Sequence, residues 1–281
     1  MITKTRSVAG AGTCAWALLA AVLIANPVGV RAQSTAPPAP AEQSASPQEQ
    51  QDEATVAAGF DTVSKGGITA LAASLPALEQ VLDRTPKGYQ EVEERDGKVF
   101  FRSGEFSEYL QFTAWQQARW TAKGEAFREI VWLADPYPRA SLMIGSYYNE
   151  VRQPEAALVA LNRGLAFAPH SPYLVTEAAI ALGQLRRMAE ALDLDSRALG
   201  DDGFLTDSNR ARILRSKGYM LTELGRLDEA EQAYRDSLKL DPDHKGAKEE
   251  LQYIAHLKAG RAPTPSYFPT TEQARKGQGA Q

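Results

Sequence analysis

Small side chains recur at a spacing of about 34 residues through the second half of this chain. Gly145, Ala179 and Gly218 share one phase of the repeat, Ala157, Ala191 and Ala230 a second, and Gly164, Ala198 and Ser237 a third. Two helices approach closely only where neither carries a bulky side chain at the crossing, so small residues at fixed phase predict helical hairpins stacked in register. Each hairpin then buries its apolar face only against its neighbours, as a solenoid requires.

The residues ahead of the repeats differ in kind. Lys4 and Arg6 precede an apolar run from Ala15 to Ala25, and Val30-Arg31-Ala32 offers small residues where a signal peptidase reads them. Residues 1–32 are therefore expected to be an export leader, too short in its apolar part to span a bilayer. The sole cysteine, Cys14, lies in that leader, so the mature chain has no thiol for a disulfide, a metal or catalysis. Of 31 basic residues the leader takes Lys4, Arg6 and Arg31, leaving 28 against 35 acidic ones, a balance of −7. Such a charge disfavours nucleic-acid binding.

Residues 33–53 are Ala, Pro, Gln, Ser and Glu with almost no large apolar side chain, and are expected to stay a disordered linker. In 54–103, Ile68, Leu71, Leu75, Leu78, Val81 and Leu82 recur at helical spacing around Pro76. Asp96-Gly97 then suits the tight turn of a β-hairpin between Tyr89–Glu94 and Lys98–Arg102. Residues 104–137 hold Phe106, Tyr109, Phe112, Trp115, Trp120, Phe127 and Trp132. With Lys123-Gly124 as a turn, they predict an aromatic-rich helical hairpin that plugs the first end of the array or cradles a ligand.

Residues 138–258 resemble tetratricopeptide repeats, with units at 138–171, 172–205 and 211–244 and a capping helix at 245–258. In the last unit Leu214, Gly218, Leu221, Gly225, Ala230, Tyr234, Leu238 and Pro242 fit the pattern. In the first, Ile144-Gly145, Tyr148, Ala157, Leu161, Gly164 and Pro169 fit, and in the second Ala178-Ala179, Leu182 and Ala191. Asp195 takes a place usually filled by a large ring. Ala179 and Gly218 lie 39 residues apart, which places an extra loop at Thr206–Arg210. The resemblance implies an all-α, right-handed superhelical array of antiparallel helix pairs, preceded here by a small mixed helix and β-hairpin region. The capping helix covers the last repeat with Ala247, Leu251, Ile254, Ala255 and Leu257, and the Pro-rich residues 259–281 form a flexible tail.

No catalytic constellation is visible. His170, His244 and His256 have no metal-ligand spacing, no Gly-x-Ser-x-Gly elbow occurs, and Arg197 interrupts the run of Asp193, Asp195, Asp201 and Asp202 that would invite calcium. Neither a metal nor a cofactor is expected. What the resemblance does imply is a concave wall lined by the first helix of each unit. Carried over by position, the wall comprises Arg139, Met143, Ser146, Asn149 and Glu150, then Tyr173, Glu177, Ile180 and Gln184, then Arg212, Arg215, Tyr219 and Glu223. Leu142 and Ser146 stand where some family members grip a carboxylate with Lys and Asn, so that specialisation is not expected. The sequence thus points to a periplasmic or secreted, non-enzymatic scaffold for a protein or peptide partner in the cell envelope, without a transmembrane anchor once the leader is cleaved. The alternative is a cell-wall-directed enzyme with its site in residues 54–135, at Glu91, Glu93 or Asp96.

Overall fold

The structure is a computed structural model that describes residues 46–200 and 204–261. The leader, the linker from 33 to 45 and the tail from 262 onward lie outside the described residues. Helix α1 (Pro47–Gly66) begins inside the expected linker, which the structure corrects. Ser46 Oγ accepts from the backbone N–H of Glu49, and the Glu49 carboxylate accepts from that of Ser46, both at 3.1 Å. This reciprocal cap, with Pro47 in the first turn, starts a helix whose Ala, Gln and Glu residues favour that conformation. Its buried stripe is Asp52, Val56, Gly59 and Val63, spaced as one helical face.

A 3-10 turn (Ile68–Ala73) and helix α2 (Leu75–Asp83), which restarts at Pro76, follow α1. All three pack on helix α4 (Pro136–Glu150) through a core of Val56, Leu71, Leu78, Val81, Tyr137 and Met143. At Gly59 an added Cβ would lie 2.9 Å from the Met143 sulfur, so the glycine sets how closely α1 sits. Asp52 is fully buried and accepts from Arg84 at 2.5 Å, Gln48 at 3.2 Å and the Tyr137 hydroxyl at 3.4 Å. Residues 47–83, not the aromatic segment, therefore close the first end of the array.

The hairpin forms as its turn residues require. Strands β1 (Val92–Arg95) and β2 (Lys98–Arg102) are antiparallel with Arg95 opposite Lys98, and Asp96 and Gly97 take φ of 51° and 73°. Helix α3 (Phe106–Lys123) ends at the left-handed Gly124. The helical hairpin expected over 104–137 is realised only in this first half. Its second half is strand β3 (Ile130–Leu133), parallel to β2 with Val99 opposite Ile130. An Ile-Val-Trp-Leu run suits a strand, and the second edge of β2 supplies its partners.

Three antiparallel helix pairs make up the repeats: α4 with α5 (Pro154–Leu165), α6 (Pro172–Gln184) with α7 (Met188–Ala198), and α8 (Asp207–Glu223) with α9 (Leu227–Leu240). The first helices also touch in succession, α4 on α6 and α6 on α8, and α10 (Lys245–Lys258) covers α9. The small residues sit at the crossings: a Cβ on Gly145 would lie 2.3 Å from Leu161 Cγ, and one on Gly218 2.8 Å from the Tyr234 ring. The turn inside each pair repeats too, with Arg152, Arg186 and Gly225 at φ of 60°, 61° and 73°. Only the third unit has the residue that meets this geometry without steric cost.

Most of the extra residues between the second and third units lengthen the start of α8, where Gly218 follows the first residue by eleven positions against seven for Ala179 in α6, so 207–210 are helix and not loop. Thr206 Oγ1 caps α8 by accepting from Asn209 N–H at 3.1 Å. The connection carries Phe204, which meets Phe101 and Phe112 edge-on at 5.9 and 5.5 Å while those two rings stack at 4.0 Å. One inserted aromatic thus ties the sheet and α3 to the start of the third unit.

Candidate functional site

The wall read from the sequence divides into two sets. Met143, Ser146, Asn149 and Glu177 are buried, at 0–3% exposure, and have no surface to offer a partner. Met143 belongs to the core under α1 and α2. Asn149 donates to the Glu177 carboxylate at 2.8 Å and to its backbone oxygen at 2.9 Å, and Gln184 donates back to Asn149 O at 3.2 Å. These groups knit α4 to α6. Burial holds the Glu177 carboxyl above its ordinary range, opposed by the Asn149 and Ser146 donors. Arg215 is a further correction, 7% exposed and paired with Asp241 at 3.1 Å.

The second set keeps part of its surface in solvent: Arg139, Glu150, Tyr173, Ile180, Gln184, Arg212, Tyr219 and Glu223. Ile180, Tyr173 and Tyr219 rest on the core between the first two units and so are held in place. Arg212, on α8, lies over the Tyr173 ring of α6 at 4.6 Å, which makes a shelf shared by two units.

Arg139 and Tyr173 also reach a feature that sequence reading missed. A cavity of ≈ 650 Å³ lies between α1, the sheet with α3, and the first turns of α4, α6 and α8. Tyr89, Glu91 and Glu108 enter it from the N-terminal region, Asp135 and Arg139 from the start of α4, and Tyr173 and Phe204 from the repeats. The Glu91 backbone N–H donates to Phe167 O at 3.2 Å, and Glu108 accepts from Asn209 at 3.0 Å, so both carboxylates hang from residues anchored to the array.

Burial and like charge raise the carboxyls here. Glu91 is pushed up to about 7, first by burial and then by Glu108. Glu108 rises through burial, against its bond from Asn209. Asp135 stands well above the usual carboxylate range because burial, with Glu53, Glu108 and Glu91 nearby, outweighs Arg139. Glu91 and the enzyme candidates do not share a centre: Glu93 pairs with Arg102 at 3.3 Å, and Asp96 is at the exposed hairpin turn. Among the described residues, no group of three or more His, Cys, Asp or Glu is placed to hold a metal ion.

Successive antiparallel helix pairs, with first helices aligned along one wall, define a helical-repeat protein. Residues 211–244 match the family model of the tetratricopeptide repeat, so the third unit of this array carries that repeat. Solved structures similar to the chain include the first TPR domain of human RPAP3, at 24% identity over 44% of this chain and 94% of that chain, with TM-score 0.40. The first TPR of Spaghetti (RPAP3) bound to the HSP90 peptide SRMEEVD matches at 24% identity over 44% of this chain and 96% of that one, TM-score 0.40. MamA AMB-1 matches at 15% identity over 76% and 89%, TM-score 0.39. No curated protein matches the chain. No helix among the described residues is long and apolar enough to cross a membrane.

Proposed function

We propose that this chain is an exported, non-enzymatic scaffold that holds an extended segment of a partner protein along α4, α6 and α8, as an accessory of a cell-envelope assembly. The observation that carries this reading is the Arg212–Tyr173 shelf, where a guanidinium and a ring from two different units stand side by side at 4.6 Å on the shared wall. Tyr219, Gln184 and Glu223 continue that wall with one aromatic, one amide and one acid. Such a surface suits a peptide held by hydrogen bonds with a few apolar anchors. An enzyme built on Glu91, Glu93 and Asp96 is disfavoured by the separate settings of those three groups.

The test is selection of displayed peptides on the mature chain, followed by direct binding to wild type, Tyr219→Ala and Arg212→Glu. Loss of affinity in both variants, measured well below the unfolding midpoint of each, is expected. Peptides that bind all three equally place recognition elsewhere. Arg215 is unsuitable for this purpose, since its loss would strand Asp241 and disturb the fold. Export is tested separately: the chain recovered from outside the cytoplasm should begin at Gln33.

A further inference from the structure

More carboxyl groups than guanidiniums line the cavity. Glu91, Glu105, Glu108 and Asp135 line it, with Asp61 already paired to Lys65 at 2.6 Å, against Arg102 and Arg139. Both guanidiniums are already engaged, Arg102 by Glu49 at 2.8 Å and Glu93 at 3.3 Å, Arg139 by Glu53 at 2.5 Å and Asp135 at 3.8 Å. Three of these four partners stand outside the lining, so the arginine charges are spent on groups the cavity does not present.

Two buried oxygens on the lining make no hydrogen bond of ordinary geometry. Asp135 Oδ1 has no hydrogen-bond partner, nor has the hydroxyl of Tyr89, a residue only 6% exposed. Arg102 lies over the Tyr89 ring face at 4.4 Å, and the Tyr89 hydroxyl faces Asp135 as well as Arg102. Buried polar oxygens are rarely left so, and Asp135 Oδ1, which meets Arg139 Nε only at 3.8 Å, marks a place where a donor is wanted. Glu91 meets Glu108, Asp135 meets Arg139, Glu53, Glu108, Glu91 and the Tyr89 hydroxyl, and Glu108 meets Asn209 and Glu105.

The guest is not a bare metal ion, because the acids are not grouped for one. The walls add the rings of Tyr89, Phe101, Tyr173 and Phe204, and the volume is that of an organic group. Rings and separated carboxylates together favour a cation with several N–H donors and an apolar stem. We propose that the cavity receives one organic cation, an alkylguanidinium or alkylammonium group, seated among Glu91, Glu108 and Asp135 with the Tyr89 hydroxyl as a further acceptor. The source assigned is an Arg or Lys side chain of the segment lying on the wall, and in that respect alone the inference rests on the scaffold reading.

Two probes test it at pH 8 by calorimetry on the full chain: agmatine, and the neutral-ended peptide Gly-Ser-Gly-Arg-Gly-Ser-Gly. Saturable binding of agmatine, weakened on the order of thirtyfold or more by Glu91→Gln and by Asp135→Asn, is expected. Tyr219→Ala, remote from the cavity lining, should leave agmatine binding unchanged. The two acid variants are each isosteric, and either one with a wild-type unfolding midpoint suffices. If neither probe binds, or if both acid variants bind as wild type does, the inference is overturned. Peptide binding that survives both acid variants but fails in Tyr219→Ala keeps the scaffold and removes the cavity site. Agmatine binding lost in the acid variants, with wall peptides indifferent to Tyr219, keeps the cavity site and removes the scaffold.

Discussion

Gly145→Ala tests whether hairpin contact sets the geometry of the array. The new methyl would lie 2.3, 2.5 and 2.9 Å from Cγ, Cδ2 and Cδ1 of Leu161, where carbon atoms normally rest at about 3.5–4.0 Å. Leu161 is fully buried, and the nearest atom is its branch point, so it cannot swing aside. Overpacking of this kind costs about 1–3 kcal/mol, while removing a glycine from a helix interior returns about 1 kcal/mol. The net expectation is a loss of up to roughly 2 kcal/mol, read as a lower urea midpoint at constant m-value. In a Leu161→Ala background the obstacle is gone, and the same glycine substitution should instead raise the midpoint. A midpoint that rises in both backgrounds would refute close packing at this crossing.

Three more outcomes follow from single features. Glu91 is raised from its ordinary 4.5 to about 7, so the folded state holds a proton that the unfolded state has already released across that window. Stability from this group is therefore present below pH 4.5 and lost as pH rises to 7, by up to roughly 3 kcal/mol; Glu91→Gln should flatten the fall in thermal midpoint between pH 5.5 and 8. Arg152→Gly and Arg186→Gly should each raise the urea midpoint by about 0.5–1 kcal/mol equivalent, because the left-handed turn penalises a side chain there. Asp52→Ala should lower it by roughly 2–3 kcal/mol, since Arg84, Gln48 and the Tyr137 hydroxyl all lose their acceptor.

The repeats were legible because packing constraints recur there: Gly145 against Leu161 and Gly218 against Tyr234 are one contact written twice. The Asp96-Gly97 hairpin was legible for a local reason, the positive φ of both residues. Helix α1 was obscured by its polarity, as only Val56 and Val63 are large and apolar on its buried stripe; the Ser46-x-x-Glu49 cap was the available signal. Strand β3 is four residues of apolar sequence, a length at which strand and buried helix look alike. Among the wall residues, Met143, Ser146, Asn149 and Glu177 lie on the part of α4 and α6 turned toward neighbouring elements. Repeat position fixes the helix but not how much of its face the neighbours cover. The cavity was hidden altogether, because its acids come from residues 61, 91, 105, 108 and 135, brought together only by tertiary packing.

Just two residues, Ala134 and Asp135, separate strand β3 from helix α4. So short a splice leaves the sheet no independent swing: it must tilt when α4 tilts. Phe204 and the Glu108–Asn209 bond tether the far side of the same sheet module to α8. The module is consequently a strut bridging the first and third units, and it braces the pitch of the solenoid. A visitor that flexes the spiral must work against this brace, and the acidic chamber beneath it would widen or narrow in step.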